Sequence, residues 1–171
     1  MTAIELLTVM AVIAILLAIA VPSFVSLTQT NRVAGEVNAL AGDLQFARAE
    51  AVKEGLPVSI CASSNGTSCL GTATSTWNTG WIVFSDANGN QAVNAGDLVL
   101  RKQTAWTSTD TFTAADSSGN PVGAISYSRD GFAINLGTPP VTWTLHTVPL
   151  NTSASRCMTL NLVGHQQVQP C

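Results

Sequence analysis

One acid stands close to the start of a long apolar segment. Glu5 is followed by a run without charged residues that extends to Asn31, and the next charge is Arg32. A carboxylate in hydrocarbon costs several kcal/mol unless it is paired or neutralised. An acid in the first turn of a helix is also stabilised by the helix dipole, by about 0.3–1 kcal/mol. The position of Glu5 therefore indicates pairing with a cation, capping of a helix, or both.

The cysteines are the second group whose spacing suggests chemistry. They form two local pairs, without CxxC spacing or neighbouring histidines, so they indicate two disulfides rather than a metal site. Three pairings are possible, and we favour the one in which each bond closes a short loop. That pairing joins Cys61 to Cys69 and Cys157 to Cys171. It implies an oxidising compartment.

One polar loop has part of the spacing of a calcium site. Positions 1, 3, 5 and 12 of a possible oxygen-ligand loop are Asp86, Asn88, Asn90 and Asp97. Gln91 stands where a calcium loop needs glycine, which makes the loop only a weak calcium candidate. The competing interpretation is a hairpin loop in which Asn88-Gly89 forms the turn and neighbouring Asn and Asp side chains cap it.

The sequence lacks the motifs of an enzyme or a cofactor site. His146 and His165 are far apart, and there is no Gly-x-Ser-x-Gly, no HExxH and no phosphate-binding Gly-Lys pair. The four tryptophans are expected to pack in the core and loops rather than to form a sugar-stacking site. We therefore predict no catalytic activity and no cofactor.

The uncharged run after Glu5 is predicted to form a long N-terminal helix. The uncharged run exceeds the roughly 20 helical residues that span a bilayer core of about 30 Å. A cleaved signal peptide is the alternative, but no Lys or Arg precedes the run and Pro22-Ser23-Phe24 follows it. Pro22 removes a backbone donor, so the helix is predicted to bend or unwind locally there.

The helical pattern continues beyond the bilayer length as an amphipathic segment. Apolar residues recur every three or four positions, at Val33, Val37, Leu40, Leu44, Ala47 and Ala51. Arg32, Glu36, Asp43 and Glu50 are assigned to the opposite face. Gly55, with Pro57 beyond it, is the predicted end of the helix. The helix therefore has a fully apolar first half and a second half with one face to bury.

After Pro57 the apolar pattern changes to alternation over short runs, such as PVSICA, GWIVFSD and VTWTLHT, separated by turn residues. This predicts a small antiparallel β-domain packed on the helix. The loop SSNGTSCLGTATSTWNT is expected to be exposed.

We divide the chain into a helix, residues 1–54, and a head, residues 55–171. Within the helix, residues 1–24 are the apolar membrane part and residues 25–54 the amphipathic part.

The composition restricts the partners. Lys and Arg total 7, Asp and Glu total 10, and the net charge is -3. A mildly acidic chain has no general attraction for nucleic acid. Charged residues make up 10% of the chain, against about 25% in a typical domain. Much of the deficit lies in the N-terminal run.

The N-terminal segment resembles the mature start of type IV pilins and of type II secretion pseudopilins. Met1, Thr2, Ile4, Glu5, Leu6 and Pro22 match the pattern, and Ala3 replaces the usual Leu. The resemblance implies an α+β type IV pilin fold, with a long N-terminal helix packed on an antiparallel β-rich head. It also implies that a positively charged leader was removed before Met1 and that Met1 is N-methylated.

The resemblance further implies that Glu5 of one subunit pairs with the Met1 amine of a neighbour in a growing filament. The expected partners are other pilin subunits, the inner membrane before assembly, the prepilin peptidase and the assembly machinery. The expected location is the bacterial inner membrane, as a single-pass protein, and then an extracellular pilus or a periplasmic pseudopilus. The expected function is that of a structural filament subunit.

Among pilin-like proteins the chain is most similar to FimT-like minor pilins and H-type pseudopilins. The segments LQFARAEAVKEG, GWIVFSDANGNQAVNAGDLVLR and RCMTLNLVGHQQVQPC carry this likeness. Some FimT-like proteins bind DNA through a Gly-Arg-x-Arg turn, which here reads Gly164-His165-Gln166-Gln167. Both arginines are absent, so little counterion release is expected and nucleic acid is an unfavoured partner. A DNA-uptake minor pilin and a type II secretion pseudopilin remain the alternatives.

Overall fold

The computed structural model describes residues 2–171, and Met1 lies outside the described residues. Helix α1 spans Ala3–Glu54. Thr2 is its N-cap, and Gly55 ends it with the left-handed φ of 70° that glycine adopts without strain. The predicted end of the helix at Gly55 is confirmed.

Helix α1 is continuous through Pro22. The local unwinding predicted at Pro22 is therefore absent from the single subunit. One proline removes one backbone donor, and the hydrogen bonds on either side can hold the helix together. Whether the segment unwinds in a filament stays a prediction.

The two halves of α1 have different surroundings. Residues 2–25 are all exposed, and the first buried side chain of the helix is Val33. The buried stripe is the predicted one, with one addition, Glu36. Its assignment to the solvent face was wrong, because Glu36 lies one turn beyond Val33 and beside Val37, on the edge of the same stripe.

Nine strands form the head in two antiparallel sheets. They are β1 Val58–Ala62, β2 Gly80–Ser85, β3 Val99–Thr104, β4 Thr111–Ala115, β5 Ala124–Tyr127, β6 Ala133–Ile134, β7 Val141–His146, β8 Arg156–Leu160 and β9 Gln166–Pro170. The strand order is β3-β2-β1-β5-β6 in the first sheet and β4-β7-β8-β9 in the second. The predicted α+β architecture, with a long N-terminal helix packed on an antiparallel β-rich head, is confirmed.

The main core lies between the buried face of α1 and the two sheets. It contains the apolar stripe of α1 together with the inward residues of β1, β2, β5, β7 and β8. Strand β4, which adds Phe112 and Ala114 to this core, was missed from sequence. Its alternation of exposed Thr111 and Thr113 with buried Phe112 and Ala114 was the available indication.

The tryptophans belong to the core, as predicted. Trp77, Trp81 and Trp143 are fully buried, and Trp106 packs against them from a partly buried position. Trp77 corrects the prediction that the whole loop before β2 is exposed. Its indole N–H donates to the Val122 carbonyl at 2.8 Å, and its ring meets Trp143 edge-on with centroids 5.6 Å apart. The end of that loop therefore packs inside the head.

One disulfide holds a loop against the first sheet, and another holds an edge strand in the second sheet. Cys61 in β1 is bonded to Cys69, and Cys157 in β8 to Cys171 at the end of the chain. The Cα–Cα distances are 5.6 Å and 5.0 Å, within the range of ordinary disulfides. The second bond fixes β9, the edge strand of its sheet, to β8.

Candidate functional site

The start of α1 forms a capping box. The Glu5 carboxylate accepts a hydrogen bond from the Thr2 backbone N–H at 2.7 Å, and the Thr2 hydroxyl accepts one from the Glu5 N–H at 3.4 Å. Two N–H groups that have no partner within a helix are thereby satisfied. Glu5 uses Oε2 in this arrangement, so Oε1 lies outside the capping bonds. The predicted partner, the Met1 amine, lies outside the described residues.

The apolar first half of α1 is the largest exposed apolar surface among residues 2–171. Its exposed side chains include Ile4, Leu6, Leu7, Val9, Met10, Val12, Ile13, Ile15, Leu16, Leu17, Ile19, Val21, Phe24, Val25 and Leu27. The helix is long and apolar enough to cross a membrane. A surface of this size must be covered by lipid or by protein.

Charged residues tie the head to α1 just beyond this surface. Arg32 forms a two-pronged ion pair with Asp110, with both N–O distances 2.8 Å. Asp110 is 1% exposed and also accepts from the Val148 N–H at 3.2 Å. Sequence alone did not indicate this pair, because its members lie 78 residues apart.

Glu36 lies one turn further along the helix. Its Oε1 accepts from the Ser108 hydroxyl at 3.0 Å, while its Oε2 is buried without a hydrogen bond. Burial raises the pKa of the Glu36 carboxyl, and the nearby Asp110 charge raises it further. The Ser108 hydrogen bond and Arg32 act in the opposite direction. The base of the head thus contains one strongly paired carboxylate and one poorly solvated carboxyl.

In the loop of the weak calcium candidate, the carboxylate oxygens accept hydrogen bonds from other residues of the head. Asp86 is fully buried and accepts hydrogen bonds from Ser59, Asn90 and Gln91. The Asp97 carboxylate accepts from the Asn94 N–H at 2.8 Å. These contacts are those of a capped loop, and no cluster of three His, Cys, Asp or Glu side chains that could hold a metal occurs among the described residues.

The C-terminal turn lies beside the distal part of α1. The Gly164 carbonyl accepts a weak 3.4 Å hydrogen bond from Arg48, and both residues line an open groove together with exposed His165. Arg48 is the only arginine or lysine lining this groove among the described residues. The structure thus supplies one partly buried guanidinium where a DNA-binding turn would need several exposed cations.

Comparison with known proteins identifies the chain's relatives. The family described as Type II transport protein GspH matches residues 36–164, which is most of the chain. No curated protein matches significantly.

Two crystal structures of the type IV minor pilin FimU from Pseudomonas aeruginosa (strain PAO1) share the fold. One matches with a TM-score of 0.53, covering 82% of this chain and 92% of the other. The second matches with a TM-score of 0.56, covering 86% and 92%. Both are 22% identical to this chain. The chain belongs to the GspH family and is a type IV pilin-like filament subunit.

Proposed function

We propose that the protein leaves the inner membrane to join an extracellular pilus-like filament, in which its N-terminal helices form the core and its heads the surface. The observation that carries the proposal is the first half of α1, which is apolar on every side and exposed over residues 2–25. Lipid covers this surface before assembly, and neighbouring helices cover it afterwards. The role is structural, and no catalytic step is part of it.

The charge of Glu5 makes the filament a more favourable environment for the subunit than the lipid bilayer. In lipid its charge has no partner except the end of its own helix. In a filament it pairs with the Met1 amine of a neighbouring subunit, which sets the register between the two helices. The capping box supports this role, because it holds the carboxylate at the end of the helix where a neighbouring N-terminus can reach it.

A periplasmic type II secretion pseudopilus is the second candidate. The observation that favours it is the match to the family described as Type II transport protein GspH. The DNA-uptake alternative has less support, because the C-terminal turn lacks the arginines of the DNA-binding pattern and, among the described residues, a single cation, Arg48, lines the groove beside it.

The test is to express Glu5→Gln and Glu5→Ala in a strain without the native copy. Glutamine can still accept the Thr2 hydrogen bond, so Glu5→Gln removes the charge and retains the cap. We expect both variants to accumulate in the membrane and to be lost from sheared filaments. Normal incorporation of Glu5→Gln would mean that capping alone is the role of Glu5.

Glu54→Gln serves as the matched control, because it removes an exposed acid at the other end of the same helix. It should leave incorporation unchanged. The location of the assembled subunit decides between the candidates: surface filaments indicate a pilus, and loss of secretion without surface filaments indicates a pseudopilus.

A further inference from the structure

The loop between β7 and β8, residues 147–155, lies at the base of the head, and we call it the base loop. Internal hydrogen bonds fix its shape. The Thr147 hydroxyl donates to the Pro149 carbonyl at 2.9 Å and accepts from the Asn151 N–H at 2.7 Å. The Val148 N–H donates to Asp110. The loop tip is therefore a defined structure.

The base loop is attached to α1 near Pro22. The Asn151 side-chain amide donates to Gln29 Oε1 at 2.8 Å. Below this bond, Pro149 and Leu150 face Pro22 and Val25 across an open groove of about 510 Å³. The loop thus reaches further toward the N-terminus of α1 than any buried contact of the helix, the first of which is Val33.

The tip of the base loop is apolar and exposed. Leu150 is 65% exposed and Val148 49%. Neighbouring Phe24 and Val25 on the helix are exposed as well, so the tip extends the apolar surface of α1 sideways. Leu150 belongs to neither apolar core cluster of the described residues, and the hydrogen bonds that shape the loop involve its neighbours, such as Thr147 and Asn151.

The tip lies at a defined depth relative to a bilayer. About 20 helical residues, at about 1.5 Å each, cross the hydrocarbon core of about 30 Å. Counted from the first turn of α1, this distance ends near Pro22 to Val25, beside Leu150. The tip therefore stands at the boundary between hydrocarbon and headgroups.

The charges around the base loop suit a lipid surface. Residues 147–155 and 6–31 contain no charged side chain. The charged side chains at the loop are Asp110, which accepts from the Val148 N–H and pairs with Arg32, and Arg156, which donates to the carbonyls of Ser153 and Ser155. The Arg32–Asp110 pair is neutral as a unit, so Arg156 supplies one net positive charge beside the apolar tip, and this charge favours anionic headgroups.

We propose that the base loop is a membrane contact, and that Pro149 and Leu150 insert at the headgroup boundary while the subunit resides in the bilayer. The inference rests on the proposed membrane residence of α1. Insertion at a second point, beside the helix, fixes the tilt of the head on the membrane before the subunit is extracted.

The test uses the full chain in vesicles of phosphatidylcholine and phosphatidylglycerol. All four cysteines are in disulfides, so a single added cysteine is the only thiol to label. Environment-sensitive fluorophores are placed by Leu150→Cys, Leu98→Cys and Leu17→Cys in separate variants. Leu98 is the matched control, because it is 64% exposed but lies next to Ser85, at the end of the sheet where α1 terminates.

We expect nitroxides near the lipid headgroups to quench the Leu150 probe several-fold more than the Leu98 probe, and iodide in the water to quench it less. Nitroxides deep in the chains should quench the Leu17 probe. If the Leu150 and Leu98 probes behave alike while Leu17 is quenched, the base loop does not enter lipid and the inference is overturned.

Two other results would also overturn the inference. Protection of the Leu150 probe from iodide without quenching by lipid nitroxides would show that a second copy of the chain covers the tip. A Leu17 probe outside lipid would refute the membrane residence of α1, and the base-loop contact with it.

Discussion

At the scale of single residues, the most consequential contact is the ion pair between Arg32 and Asp110. Asp110 is 1% exposed, whereas the side chain of Arg32 is 41% exposed. The buried negative charge of Asp110 is therefore compensated mainly by Arg32. Both residues also stand where α1 leaves the head, so the pair fixes the direction of the helix at that point.

Removing Arg32 should destabilise the head. In Arg32→Ala the buried Asp110 retains only the hydrogen bond from Val148, and we expect a loss of about 2 kcal/mol in the free energy of unfolding. Urea unfolding in detergent, followed by tryptophan fluorescence, measures it. The control is Lys53→Ala, which removes an exposed 2.7 Å pair with Glu50 and should cost less. Equal losses would show that the burial of Asp110 does not matter.

Glu36 should make stability fall as pH rises. Burial raises the pKa of this carboxyl above its ordinary value of 4.5, although Ser108 and Arg32 oppose the change. The folded state then holds the Glu36 proton more tightly than the unfolded state. Its contribution is thus present at low pH and is lost as pH rises from about 4.5 through the folded pKa.

Glu36→Gln should remove this part of the pH dependence, because the glutamine cannot ionise. Unfolding free energies measured from pH 4.5 upward should decline less in the variant than in the original protein. Glu54→Gln, at an exposed position of the same helix, should keep the original slope. A steeper decline in Glu36→Gln would contradict the sign of the effect.

At the scale of elements, α1 was predictable because its signals are local. The periodic apolar stripe, Gly55 and the uncharged first half all lie within one continuous segment. Glu36 and β4 were not assigned correctly, because tertiary contacts decide both: Ser108 and the neighbouring loops cover Glu36, and β4 exists through its pairing with β7.

The second disulfide should be what keeps β9 attached to β8. Strand β9 is an edge strand and is mostly exposed. The bond closes a 14-residue separation, worth roughly 3 kcal/mol in the chain-entropy model. Replacing Cys157 and Cys171 together by serine should cost about that much and speed amide hydrogen exchange in residues 166–170.

Peptide mapping without reductant is the direct check on the original protein. The expected species are Cys61–Cys69 and Cys157–Cys171. A dominant peptide joining Cys61 or Cys69 to the C-terminal region would contradict the arrangement, since it would attach the first strand to the last.

Pro22 bears on what α1 does during assembly. In the single subunit the helix runs unbroken through it. Close packing by other helices in a filament can satisfy backbone groups that lipid cannot, and Pro22 already deprives the Ala18 carbonyl of its donor. We expect a filament structure to show lost helical hydrogen bonding around residues 18–22. A straight, regular helix there would contradict this.

At the scale of the whole molecule, the sequence predicted only those parts of the candidate site that lie within one continuous segment. Glu5 and the apolar run could be recognised by composition and order alone. The base loop could not, since the contact of Asn151 with Gln29 joins residues 122 apart in sequence. Its only sequence indication was an uncharged stretch, TVPLNTSAS, which is equally typical of an ordinary connection.

The separation between an exposed and a buried half of α1 predicts where the chain can be cut. All buried helix residues lie at or beyond Val33, and Arg32 forms the first ion pair between the described part of α1 and the head. A fragment of residues 29–171 therefore keeps the whole core and the ion pair, although it loses the membrane-spanning segment. We expect it to be soluble, monomeric and nearly as stable as the full chain.

A fragment of residues 41–171 should behave differently. It loses Val33, Val37 and Leu40, three fully or almost fully buried side chains, together with the Arg32–Asp110 pair. At about 1.5–3 kcal/mol for each buried aliphatic side chain, the apolar loss alone is about 5 kcal/mol or more. That is comparable to the whole stability of many domains. Thermal unfolding of both fragments compares them; similar melting temperatures would show that the first turns of the buried stripe contribute little to the head.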